Sequence, residues 1–140
     1  MFERLAVIDI WVRDQNEALR FYTEKLGFEI RADRTVGTFR WLTVGLKGQP
    51  DLEFSLMPLK PIGPLTQEDV DHLAQLLEAG KLRSGVWKTN DCQGTYETLV
   101  ARGVEFLQVP TDRPYGIIEA VLKDDSGNIM VLSQDKFRRA

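Results

Sequence analysis

Apolar and β-branched residues dominate from Leu5 to Val12, and the polar pair Arg13-Asp14 ends the run. This pattern predicts a strand followed by a helix. Asp14 has the residue type of an N-cap, Glu17 stands three positions on as a capping-box partner, and Ala18, Leu19, Tyr22 and Leu26 recur at helical spacing before Gly27. Three more strands are predicted over 28–36, 39–46 and 52–57, with Gly37 and Lys47-Gly48-Gln49-Pro50-Asp51 as the turns between them. Residues 1–57 thus form one βαβββ unit.

The same order then recurs, the signature of an internal repeat. A strand over 85–89 leads to a second N-cap, Asp91, and a helix with Tyr96, Leu99 and Val100 on one side ends at Gly103. Strands over 104–109, 117–122 and 129–133 follow, with Asp125-Ser126-Gly127-Asn128 as the last turn. Aligning Asp14 on Asp91 pairs the caps, and a shift of one residue pairs Gly27-Phe28 with Gly103-Val104. The second module is 84–140. Residues 58–83 link the two and open with Pro58, Pro61, Gly63 and Pro64. Within them Thr66 caps a predicted helix through Gly80 whose apolar side is Val70, Leu73, Leu76 and Leu77. This helix is read as structural cover on the sheet, with a mobile lid or a dimer contact as the alternatives.

Composition narrows the chemistry. The 140 residues suit one domain, 43% hydrophobic residues suffice for a core, and 28% charged residues make a soluble surface. A net charge of −3 provides no basic field for a phosphate backbone, so no nucleic-acid partner is expected. No apolar stretch approaches the roughly 20 residues of a membrane span, and the N-terminus lacks the pattern of a signal peptide. A cytoplasmic protein is expected. The one cysteine, Cys92, excludes an internal disulfide and a thiolate cluster and suits a reducing compartment. The one histidine, His72, excludes a multi-histidine site within one chain, and any Ser or Cys triad would have to run through it.

The tandem repeat carries Val12-Arg13-Asp14, Phe21-Tyr22 and Leu26-Gly27-Phe28 in its first unit and Arg102-Gly103-Val104-Glu105-Phe106 in its second. It ends with Arg113-Pro114-Tyr115-Gly116, Glu119-Ala120-Val121-Leu122-Lys123-Asp124 and Gly127-Asn128. In this order it resembles the vicinal oxygen chelate superfamily, also called the glyoxalase, bleomycin resistance and extradiol dioxygenase family, over nearly the whole chain. The resemblance implies an α+β fold in which tandem βαβββ modules form a curved mixed sheet around a pocket. It also implies a homodimer. Metalloenzymes of the family take ligands from the first and fourth strands of each module. The matching positions here are Val7, Glu53, Ser84 and Val131, of which only Glu53 keeps an acid. Valine has no donor atom and serine is a poor ligand for a borderline transition metal. His72 falls in the linker helix, outside all four strands. No metal and no other cofactor is therefore expected.

Strand alternation places Asp9 and Trp11 on the face of Val7, Ser55 and Met57 on that of Glu53, and Val86 and Lys88 on that of Ser84. Ile129 and Ser133 share the face of Val131, and the family register turns Glu119 and Val121 inward. Asp9, Glu53 and Glu119 are thus expected to line one cavity with Lys88 as their basic neighbour. One reading makes Glu53 or Glu119 the catalytic acid or base of a metal-independent isomerase or lyase, its pKa raised by like charge and burial. A second binds a cationic or planar small molecule through Asp9, Trp11, Ser55, Lys88, Tyr115 and Val121, as in the resistance branch. In a third, Lys88 and backbone amides merely satisfy the acids. Binding of a hard divalent cation by three carboxylates, or a glyoxalase- or dioxygenase-type activity, stands below these. The leading reading is small-molecule binding without the family metal.

Several residues carry two readings. Tyr115 closes a lip of the pocket or belongs to an ordinary Pro-Gly turn. Arg40 and Trp41 have opposite facing, and the sequence does not choose between them; Trp87 suits core or dimer packing. Cys92 follows an N-cap, where the helix dipole lowers a thiol pKa, although it has no evident base and is expected to be a spectator. Lys136, Arg138 and Arg139 are read as a solvated tail.

Overall fold

A computed structural model describes residues 1–137 of the chain. Two compact units part between Gln75 and Leu76, and each contains one four-stranded mixed sheet. The fold is α+β.

In the first unit the strands are β1 (Val7–Val12), β2 (Glu29–Val36), β3 (Phe39–Gly45) and β4 (Glu53–Pro58), in spatial order β1-β4-β3-β2. β1 pairs with β4 in parallel, and the other pairs are antiparallel. The helix after β1 is α1 (Gln15–Arg20), capped by Asp14 Oδ1, which accepts the backbone N–H of Glu17 at 2.9 Å. Glu17 gives that N–H to the cap and its carboxylate to Arg13 at 3.0 Å. α1 then widens into a π-helical turn (Phe21–Lys25), where the N–H of Leu26 reaches the carbonyl of Phe21, and Gly27 ends it at φ +76°. The widened turn brings Phe21 and Tyr22 together onto the sheet. The Tyr22 ring meets Phe21 and Phe28 edge to face at 5.6 and 5.3 Å. Together with Ile10, Val12, Leu42, Val44, Phe54 and Leu56 they form the buried core of this unit.

The second unit repeats this with β5 (Arg83–Lys88), α3 (Cys92–Ala101), β6 (Phe106–Arg113), β7 (Ile117–Lys123) and β8 (Ile129–Asp135), in spatial order β5-β8-β7-β6. Asp91 caps α3 by accepting the N–H of Gly94 at 2.9 Å. Leu99 is buried and Tyr96 packs edge to face on Phe106 at 4.8 Å, but Val100, expected on the same side, is exposed. Two departures reflect local backbone geometry. β6 runs through Pro110, which the sequence places outside any strand; β6 is the edge of its sheet and carries bulges at this point, so the missing N–H is tolerated. β5 is bulged between Arg83 and Val86 with Gly85 at φ +83°, which breaks the expected alternation of Ser84 with Val86 and Lys88.

The linker helix is α2 (Gln67–Glu78). Thr66 and Asp69 cap it reciprocally, side-chain oxygen to backbone N–H in each direction at 3.2 and 2.9 Å. That contact holds the Asp69 carboxyl below the ordinary range, with a smaller contribution from the charge of His72. Val70 and Leu77 are buried, whereas Leu76 is 46% exposed, so the apolar face is narrower than its sequence suggests. Among the described residues no helix is long and apolar enough to cross a membrane.

Candidate functional site

Residues that pair across strands project to the same side of a sheet, so the register sorts each sheet into two faces. In the first unit the core takes one face. The other carries the pairs Val7 with Glu53, Asp9 with Ser55, and Trp11 with Met57 from β1 and β4. Thr43 of β3 pairs with Ser55, and Trp41, two residues away, lies on this face also. Arg40 takes the opposite side, where it grips both oxygens of Asp33 at 2.8 and 2.9 Å and the side-chain oxygen of Asn16 at 2.6 Å. That fork raises the Arg40 pKa and lowers the Asp33 one.

This non-core face is mixed in character. Trp11, Trp41 and Met57 are half-buried, Asp9 is exposed, and Thr43 and Ser55 are buried. Glu53 Oε1 accepts the Thr43 hydroxyl at 2.6 Å. Ser55 is 1% exposed and its hydroxyl has no hydrogen-bond partner among the described residues.

In the second unit the corresponding face carries Lys88, Ser133 and Glu119 in one row across β5, β8 and β7, with Val86, Val131 and Val121 in the next. Lys88 Nζ donates to Ser133 Oγ at 3.0 Å and to Asp135 Oδ1 at 2.7 Å. Glu119 Oε1 accepts Arg113 Nε and the Tyr115 hydroxyl, both at 2.9 Å. Arg113 in turn donates to Gln108 Oε1 at 2.9 Å, and Gln108 donates to the backbone carbonyl of Glu119 at 3.3 Å. The expected pairing of Lys88 with the acids is thus replaced by two separate polar clusters. Arg113 reaches Glu119 because the β6–β7 hairpin folds residues 113 and 115 back along β7. Tyr115 keeps its ring exposed, and its hydrogen bond to Glu119 together with some burial raises its hydroxyl pKa.

The remaining candidates stand apart from these faces. His72 is exposed on α2. Trp87 pairs with Leu132, is half-buried, and donates its indole N–H to the carbonyl of Ser84 at 2.7 Å. Lys136, read as part of a free tail, bonds both oxygens of Asp112 at 2.9 and 3.0 Å; Arg138 and Arg139 lie outside the described residues. Cys92 reverses an expectation. Burial pushes its thiol pKa up, with the negative charges of Asp91 and Glu119 adding to the shift, and this outweighs any lowering by the helix N-terminus. The native protein should therefore react negligibly with a thiol reagent such as DTNB over minutes at pH 8 and release about one equivalent of chromophore once unfolded. Fast reaction of the native protein would contradict the buried-thiol assignment.

The four strand positions of a family metal centre supply a single carboxylate. Val7 and Val131 offer hydrocarbon, Ser84 donates to Asn128 Oδ1 at 2.9 Å, and Glu53 is already bonded to Thr43. Such a set does not fit a transition-metal centre of several N, O or S donors. Among the described residues no three His, Cys, Asp or Glu side chains gather where they could hold a metal ion.

The family model for the Glyoxalase/Bleomycin resistance protein/Dioxygenase superfamily matches residues 4–132. The chain belongs to this superfamily. Among solved structures of its fold, UcmS2 superimposes with a TM-score of 0.90 at 43% identity, covering 96% of this chain and 100% of that one. TnmS3, an antibiotic binding protein from Streptomyces sp. CB03234, gives 0.74 at 29% identity, covering 96% and 97%. The uncharacterized protein YurT of Bacillus subtilis (strain 168) is 35% identical over 132 residues, 94% of this chain and 98% of that protein. Within the superfamily fold, sequence reasoning missed Thr43, Gln108, Arg113 and Asp135. Each is reached only through strand register or a hairpin, although Arg113 stood inside the quoted tail motif.

Proposed function

We propose that this protein binds a small organic molecule without a metal, as a sequestering protein rather than a catalyst. The observation that carries this reading is the non-core face of the first sheet. Two tryptophans and a methionine, Trp11, Trp41 and Met57, lie half-buried there, outside the packed core, beside the polar side chains of Asp9, Ser55 and Glu53. Half-exposed indoles supply flat, polarisable area at little entropic cost, and a thioether adapts its shape to a ligand. The antibiotic-binding activity of TnmS3 supports the same reading. On the second sheet, taken by itself, Lys88, Tyr115 and Val121 are the residues read as ligand-binding. Glu119 acts there as a braced acceptor rather than a proton carrier, because Arg113 and Tyr115 both bind its Oε1. The reading includes a homodimer and a reducing, cytoplasmic location suited to the free thiol of Cys92.

Thermal-shift and tryptophan-fluorescence screening against drugs, aromatic metabolites and 2-oxo aldehydes tests it. A ligand at about 100 times its Kd adds about 2.7 kcal/mol to the folded state, several degrees in melting temperature, and Trp11→Ala should weaken its binding about tenfold or more. Light scattering on the same samples should give the mass of two chains. Turnover of the ligand that is lost in Glu119→Gln would overturn the sequestering reading. Stoichiometric Fe, Ni, Zn or Mn that is lost on replacing Glu53 would overturn the metal-free one.

A further inference from the structure

Ser55 is the anomaly of the first unit. Its hydroxyl is shielded from solvent and lacks a hydrogen-bond partner among the described residues, a condition that costs free energy in a folded protein. Thr43, its cross-strand neighbour on one side, directs its own hydroxyl to Glu53 at 2.6 Å. Asp9, its neighbour on the other side, carries an exposed carboxylate on the same face. Ser55 thus shares one sheet face with the acceptor carboxylates of Asp9 and Glu53, and Trp11, Trp41 and Met57 occupy register positions on the same face. What such a place lacks is a donor.

Resting on the binding reading above, we infer that Ser55, which shares its sheet face with Asp9 and Glu53, anchors a hydrogen-bond donor at the edge of a planar aromatic ligand, such as an aryl amine or aryl hydroxyl. The rings lie against the indoles, and the donor replaces the missing partner of Ser55. Because the hydroxyl is shielded in the free chain, its neighbours must rearrange when the ligand arrives, and the three torsions of Met57 make it the most adaptable of them. The unsatisfied hydroxyl then persists because the bound state uses it, a cost to the free fold concentrated at a functional position.

Two dyes of the same ring and charge test this. Proflavine carries free aryl amines, whereas in acridine orange those amines are fully methylated and donate nothing. In fluorescence titrations the wild-type protein should bind proflavine about tenfold more tightly than acridine orange. Ser55→Ala should erase most of that difference by weakening proflavine alone, while its melting temperature stays level or rises, since an unpaired buried hydroxyl has been removed. Asp9→Asn should also narrow the gap. Equal binding of both dyes with no effect of Ser55→Ala overturns the anchor and leaves ligand binding standing. A lowered melting temperature in Ser55→Ala with unchanged dye affinities makes Ser55 structural and likewise overturns it. Binding of neither dye overturns the ligand class, and the screening panel then decides the broader reading separately.

Discussion

Replacing Asp124 with alanine is expected to lower folding stability by about 3–5 kcal/mol. The carboxylate closes the β7–β8 turn from inside. Its Oδ1 accepts the backbone N–H groups of Ser126, Gly127 and Asn128 at 2.9, 3.0 and 2.8 Å, and its Oδ2 accepts the Asn128 side-chain amide at 2.8 Å. Asn128 then passes the network on by accepting the Ser84 hydroxyl at 2.9 Å, which ties the turn to β5. Alanine would remove the carboxylate acceptor from the buried N–H groups of Ser126 and Asn128 and from the Asn128 carboxamide, each worth roughly 1–3 kcal/mol, while Gly127 N–H keeps the backbone carbonyl of residue 124 at 3.3 Å and partial entry of water recovers some of the sum. Against a typical total of about 5–15 kcal/mol the effect is large, and the melting temperature should fall by roughly 10–20 °C. Asp124→Asn keeps one acceptor but sets an NH2 group against that of Asn128, so about half the loss is expected. Thermal unfolding followed by circular dichroism checks both. A loss below about 1 kcal/mol for Asp124→Ala would show that the backbone holds the turn without its carboxylate.

The second large effect is expected at Gly127. Its φ of +109° is costly for any L side chain, and a Cβ built there would run into the carbonyl oxygen of Leu77. That carbonyl belongs to the last turn of α2 and already accepts the N–H of Gly80 at 3.1 Å. Gly127→Ala must therefore strain the turn, displace the helix end, or both, for a loss of about 2–4 kcal/mol in urea unfolding. Gly48→Ala is the matched control. Its Cβ would meet nothing within 4 Å and its φ lies outside the left-handed range, so a change within about 0.5 kcal/mol is expected. Asp124 and Gly127 share one network, so the double substitution should fall short of the sum. Equal, small losses for Gly127→Ala and Gly48→Ala would remove the close approach of helix and turn as a stabilising feature.

Elements set by near neighbours were readable from the chain alone. Asp14 and Asp91 cap helices because each needs only a backbone N–H three residues on. Gly27 and Gly103 end them because only glycine adopts φ of +76° and +85° freely. These local signals, repeated in order, were enough to place the chain in its family.

Partnership across strands was not readable in the same way. The facing of Trp41 against Arg40, the bulge at Gly85 that takes Ser84 out of phase, and the capture of Glu119 by Arg113 and Tyr115 all depend on register between segments distant in sequence. Burial is likewise a property of the assembled sheet. It pushes the Cys92 thiol pKa up where the helix end alone would lower it, and it leaves Ser55 shielded without a hydrogen-bond partner among the described residues. The sequence by itself determined the order of the elements and the capped starts of the three helices after Asp14, Thr66 and Asp91, because caps and turns close within a few residues. Which side chains face one another, and which polar groups lose water, only the tertiary structure decided, because those energies arise from groups that meet only once the strands have paired.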